Sequence, residues 1–172
     1  MNKQKLYWSV GFFVVIIGLL FFLFYRIGKD IGEANVLNSN NNSIVYENTD
    51  YGFDFSLPAN WQGYSIIKST WQGTALKNIS APTGTKLLIR NPNWTETAHY
   101  EDIPILIFTI SQWDSYLAEN FSISAAPIQA SELARNNTYV FALPPRWNFD
   151  YSLGYKEAEE IIARSPLSAF NK

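Results

Sequence analysis

Twenty residues without a charge, LYWSVGFFVVIIGLLFFLFY, run from Leu6 to Tyr25. As a helix rising about 1.5 Å per residue, this stretch reaches roughly 30 Å, the thickness of a bilayer's hydrocarbon core. Most of its side chains are Leu, Ile, Val or Phe, each of which favours insertion. Tyr7, Trp8 and Tyr25 stand at the two ends, where amphipathic rings prefer the membrane interface. A helix also satisfies its own backbone, which lipid demands. The remaining 129 residues from position 44 onward are too few to wrap a helix that is apolar on every face. The chain is therefore expected to carry a single transmembrane helix at 6–25, contacting membrane lipid, behind a short head at 1–5.

A cleaved leader is the competing reading. Lys3 and Lys5 would form its basic start, and Gly32-Glu33-Ala34 a poor cleavage site. Leader cores run about 7–15 residues, however, and Arg26 and Lys29 intervene before the cut. A lipoprotein is excluded, since the chain has no cysteine to acylate. Two lysines precede the span, and one arginine and one lysine follow it closely. That bias places the N-terminus in the cytoplasm and the rest of the chain outside it.

Beyond the span, residues 26–43 form a stalk that ends in the polar run Asn38-Ser39-Asn40-Asn41-Asn42-Ser43. A globular domain is expected over 44–172. It holds nine basic and thirteen acidic residues and no basic stripe, so a phosphate backbone would be repelled and no nucleic-acid partner is expected. Without cysteine there are no disulfides, thiolate nucleophiles or cysteine-held metals, and packing must supply the stability.

Short strands dominate the pattern. Residues 44–47 suit one. In Phe53-Asp54-Phe55-Ser56-Leu57 the apolar side chains alternate onto one face, and Pro58 stops the run. Residues 64–70 and 85–90 suit two more. IPILIFTI at 103–110 is apolar on both faces, so both must be covered. Ser111, with Asp114 three residues on, resembles a capping box opening a helix that turns Trp113, Tyr116 and Leu117 inward. Strands at 128–135 and 138–143 would be joined by a turn at Asn136-Asn137, because asparagine tolerates positive φ. A last helix at 155–165 buries Tyr155, Ala158, Ile161 and Ile162, shows Glu157, Glu159 and Glu160 to water, and ends before Pro166. The fold class is α+β: a mostly antiparallel sheet sandwiched by a few helices. Trp61-Gln62-Gly63 recurs as Trp71-Gln72-Gly73 ten residues later, too short a unit for a repeat.

The run Tyr51-Gly52-Phe53-Asp54-Phe55-Ser56-Leu57-Pro58-Ala59-Asn60-Trp61 resembles the opening of PsbP-like domains, in which an aromatic strand, a proline and a tryptophan come in order. Stretches 51–64, 103–113 and 136–145 resemble uncharacterised membrane-anchored bacterial domains of that type. The resemblance implies an α-β-α sandwich and binding rather than catalysis. Its relatives include photosystem accessory subunits, a partner of a nuclear transport GTPase and bacterial envelope proteins. It carries no functional residue over.

No catalytic or cofactor constellation stands out. There is no phosphate loop and no dinucleotide-binding glycine pattern, and Ser65 lacks the second glycine of a nucleophile elbow. Asp50 to Asp54 is no calcium loop, because Phe53 belongs to a strand. His99, the single imidazole, reads as a solvated loop residue, and Glu101-Asp102 as a loop-edge charge pair. No cofactor, metal or catalytic residue is expected.

Two contact surfaces remain. Residues 91–102, NPNWTETAHYED, form a long loop offering Trp94, His99 and Tyr100, unless Trp94 only pins the loop. In PPRWNFDY at 144–151, Trp147, Phe149 and Tyr151 alternate, which puts Arg146, Asn148 and Asp150 on the other face of a strand; aromatic and arginine side chains suit interface hot spots. The opposing reading has that strand packing inward. The expectation is a membrane-tethered extracytoplasmic binding or scaffolding domain that contacts another envelope protein. A glycan-binding module using Trp94, Tyr100 and Trp147 is the alternative, and a hydrolase built on His99 with Glu101 or Asp102 a remote one.

Overall fold

The computed structural model describes residues 43–125 and 128–172. The head, span and stalk expected over 1–42 lie outside these residues. No helix among those described is long and apolar enough to cross a membrane.

In chain order the elements are Ser43–Asn48 (β1), Phe53–Pro58 (β2), a 3-10 turn Ala59–Trp61, Ser65–Gln72 (β3), Thr74–Ala75 (β4) and Thr83–Arg90 (β5). Then come Ile103–Thr109 (β6), Ile110–Leu117 (α1), Phe121–Ser122 (β7), Ser131–Arg135 (β8), Tyr139–Leu143 (β9), Tyr155–Ala163 (α2) and Leu167–Ala169 (β10). The chain is α+β, and all three sheets are antiparallel: β1-β2-β10, β3-β5-β6-β9-β8 and the small β4-β7 pair.

β6 explains the layering. All of Ile103 to Phe108 is buried, as a strand covered on both faces requires. Ile103, Ile105 and Ile107 point into one core, with Phe53, Phe55 and Leu57 of β2 and Ala158 and Ile161 of α2. Leu106 and Phe108 point into a second core, with Trp113 and Tyr116 of α1 and with Trp71 and Phe121. The five-stranded sheet therefore lies between α1 with the β4–β7 pair on one side and α2 with the three-stranded sheet on the other. The two Trp-Gln-Gly runs part company here: Trp61 fills the first core and Trp71 the second.

Several local expectations are corrected. The cap of α1 is Thr109, not Ser111: its hydroxyl accepts from the Gln112 backbone N–H, and the Gln112 side chain accepts from the Thr109 N–H. Glutamine serves the box as well as an acid, so the pattern lay two residues earlier. Leu117, the last residue of α1, is about half exposed, and only Trp113 and Tyr116 of the three turn inward. The strand expected from 128 begins at Ser131, and Ile128 is exposed. Asn136 turns the chain through its side chain, not through positive φ. Its Oδ1 accepts from Thr138 N and Tyr139 N, while Nδ2 donates to the carbonyls of Tyr51, Gly52 and Phe170. The last helix stops at Ala163, and the expected outward Glu157 is half-buried and hydrogen-bonded to Asn60.

Candidate functional site

Most of the aromatic residues have structural work. Trp61, Trp71 and Trp113 are buried in the two cores, leaving Trp94 and Trp147 half-buried. The two segments singled out from the sequence then meet. Tyr100 forms a parallel bridge with Leu153, and the Glu101 N–H donates to the Leu153 carbonyl at 2.7 Å. The loop at 91–102 and the segment at 144–154 thus lie side by side.

The first loop is braced at its own base. The Arg90 guanidinium sits 3.8 Å from the centre of the Trp94 ring, and His99 stacks on Trp94 at 5.2 Å and 4°. Arg90 also pairs with Asp102 at 3.1 Å, and the other Asp102 oxygen accepts from the Asn91 N–H. Trp94 therefore pins the loop, but to Arg90 at the end of β5 rather than to either core. His99 is exposed, with Nε2 against the Glu96 carbonyl at 3.1 Å, and no hydrogen bond joins it to Glu101 or Asp102. Among the described residues no group of three acidic or imidazole side chains is placed to hold a metal ion.

The second segment is not the strand its alternation suggested. It is a run of turns, because Pro144-Pro145 cannot extend the ladder of β9. Arg146 and Tyr151 take left-handed backbone conformations, φ 51° and 48°. Without the two-residue period the aromatic residues separate. Trp147 packs against the first core, while Phe149 and Tyr151 remain 61% and 68% exposed. Leu153, at 55%, joins them, a residue not foreseen from sequence. Arg146 does not occupy an opposite face: its guanidinium lies 5.6 Å from the Phe149 ring centre. Tyr151 leans edge-on against Tyr155 of α2 at 5.1 Å, and Asn148 is hydrogen-bonded to Glu159. The segment thus leaves Phe149, Tyr151 and Leu153 exposed, with Arg146 beside Phe149.

Beside that segment lies a polar pair that composition hid. The pairing of β5 with β6 ends at Ile89 against Ile103, and the alternation of each strand carried two residues on puts Asn91 and Glu101 on the inward side. Asn91 and Glu101 thus end the inward stripe of Leu87, Ile89, Ile103 and Ile105, with residual exposures of 1% and 8%. The Glu101 Oε2 and the Asn91 Nδ2 are buried without a hydrogen-bond partner. Burial raises the Glu101 pKa from its ordinary value, Ser152 beside it opposes the shift, and Asp102 and Asp150 add to it.

A separate shallow cleft of about 190 Å³ opens on the α1 side, between Leu76, Tyr116, Phe121, Ile123 and Ile128. Comparison with protein-family models, characterised proteins and solved structures finds no match to the chain.

Proposed function

We propose that the protein is a membrane-tethered binding or scaffolding module. In this reading the helix at 6–25 anchors it, and the domain outside the cytoplasm grips another envelope protein. One observation carries the contact reading: Phe149, Tyr151 and Leu153 are all exposed on one short segment. Large apolar side chains gathered at a surface cost solubility unless a partner covers them. Aromatic residues beside an arginine are also the chemistry of interface hot spots. The resemblance of the run from Tyr51 to Trp61 to PsbP-like domains also implies binding rather than catalysis.

The test is crosslinking in intact cells, with recovery of the full chain from membranes. A discrete partner crosslinked to the wild type and lost from the Phe149→Ala/Tyr151→Ala double variant is the expected result. Wild type and variant giving the same products would end the assignment of this surface. Retention on cell-wall sacculi in place of a protein partner, abolished by the same double variant, would favour the glycan alternative. For the anchor, the chain should stay in the membrane pellet after an alkaline wash, and protease added to intact spheroplasts should digest its domain. Release by the wash, or protection from the protease, would refute the tethered topology.

A further inference from the structure

We infer that two copies of the chain associate through β3, the two strands running antiparallel about a two-fold axis at Ser69 and joining both five-stranded sheets into one. The segment carrying Phe149, Tyr151 and Leu153 takes no part, so this pairing stands apart from the surface proposed above.

Sheet order leaves β3 at an edge, and at eight residues it is the longest strand so placed. Bare edges invite another strand, and proteins guard them with bulges, prolines and charges. β8, at the opposite edge, is guarded: its ladder is bulged between Glu132 and Ala134, and Glu132 pairs with Arg135. β3 is not. It pairs with β5 in unbroken register from Ser65–Arg90 to Gln72–Thr83, has no proline, and carries one charge, Lys68. That ammonium is turned to its own domain, 5.4 Å from the Tyr51 ring centre. Lys68, Ser69 and Thr70 are exposed, and among the described residues no backbone–backbone bond joins 65–72 to anything but β5.

The hydrogen-bond pattern makes this edge complementary to itself. Residues of an antiparallel strand turn their N–H and C=O alternately toward and away from a given neighbour. Gly73, the next step of the ladder, donates its N–H to the Pro82 carbonyl at 2.8 Å, on the β5 side. Ser65, Ile67, Ser69 and Trp71 therefore bond to β5, while Ile66, Lys68, Thr70 and Gln72 turn their donors and acceptors outward. That outward set is centred on Ser69. A two-fold axis there sets Lys68 against the partner's Thr70 and Ile66 against the partner's Gln72, so the whole outward set is bonded. The small Ser69 side chain meets its own counterpart. Centring the pair on Lys68 would instead oppose two ammonium groups and leave Gln72 beyond the end of the ladder. A second copy thus fits the edge in one register without a clash of charge, as a closed two-fold dimer requires.

Single cysteines report that register cleanly, because the chain has none of its own. At Ser69 the facing Cα atoms of a non-hydrogen-bonded pair would lie about 4.5 Å apart, within reach of a disulfide. The two Lys68 Cα atoms would be offset by two residues and one strand spacing, roughly 8 Å, too far to bridge. In the full-length protein, in a large excess of detergent micelles under mild oxidant, Ser69→Cys should give a disulfide-linked dimer many-fold faster than Lys68→Cys. Thr70→Pro removes an outward donor and leaves the β5-facing ones in place. Sedimentation should show the wild type as a dimer and this variant as a monomer, with circular dichroism unchanged. A monomeric wild type, a folded Ser69→Cys that does not crosslink, equal crosslinking at 68 and 69, or a proline variant that stays dimeric would overturn the pairing. Should the proline variant fail to fold, the contrast between Ser69 and Lys68 decides alone.

Discussion

Glu101 shows how a single buried group bears on the whole domain's acid response. A carboxyl group whose pKa is raised by folding adds stability that is complete below its unfolded pKa and disappears as pH rises through the folded value. Urea unfolding of wild type and Glu101→Gln between pH 4 and 8 should show the variant gaining on the wild type as pH rises, with the largest gap at the alkaline end of the range. Parallel curves would contradict the shift. Gly84 gives a purely steric case. A Cβ there would lie 2.5 Å from the Trp71 indole, which already donates from Nε1 to the Ile107 carbonyl. Gly84→Ala should cost about 1–3 kcal/mol by overpacking and disturb the near-ultraviolet circular dichroism of Trp71. At this scale sequence was a partial guide. Trp113 turns inward as expected, but the core places of Trp61 and Trp71 were not foreseen, and Asn91 and Glu101 sat in a stretch whose polar composition reads as loop. They follow the inward alternation that β5 and β6 set. Extending that alternation two residues beyond Ile89 and Ile103 would have found them.

At the scale of elements, strands were legible where alternation or continuous apolarity met a stop signal. Phe53, Phe55 and Leu57 share a face and end at Pro58, and β6 is covered on both sides. Junctions were less legible, because they depend on which of several short polar residues closes a hydrogen bond. Thr109→Ala should therefore destabilise α1 by about 1 kcal/mol, whereas Ser111→Ala should be nearly silent, as urea midpoints would show. Asn136 is the more demanding junction, since its amide joins β8–β9, the β1–β2 turn and the C-terminal strand region. Asn136→Asp keeps the acceptor but removes the donor and sets a charge against three carbonyl oxygens. It should lower the urea midpoint by the equivalent of at least about 2 kcal/mol, at roughly 1 for each net hydrogen bond lost. The same inward amide argues against sugar attachment at the Asn136-Asn137-Thr138 sequon. Residues 144–151 failed as a strand for a local reason as well: two prolines and two left-handed residues cancel the period that made Trp147, Phe149 and Tyr151 look equivalent.

Across the whole domain, one sheet serves two cores, so damage on either face is felt through the same strands. Phe53→Ala and Phe108→Ala empty fully buried positions on opposite sides, and each should cost about 3–5 kcal/mol. Both should lower one cooperative transition followed by circular dichroism and by tryptophan fluorescence. Two separated transitions in either variant would show that the cores melt independently. The class of the fold was readable from sequence at this scale, because a doubly apolar central strand leaves few alternatives. The short strands β4, β7 and β10 were not, being two or three residues long with no period to detect.

The pairing of β10 with β2 reaches further than its three residues suggest. Phe55 waits for Leu167 across roughly 110 residues of chain, among the slowest closures this domain contains. While the polypeptide emerges from the ribosome, the edge of β2 that β10 covers stays open until Leu167 to Ala169 have been made. An open strand edge is a template for pairing with a neighbouring chain, so crowding is most hazardous to this domain just before its last strand arrives.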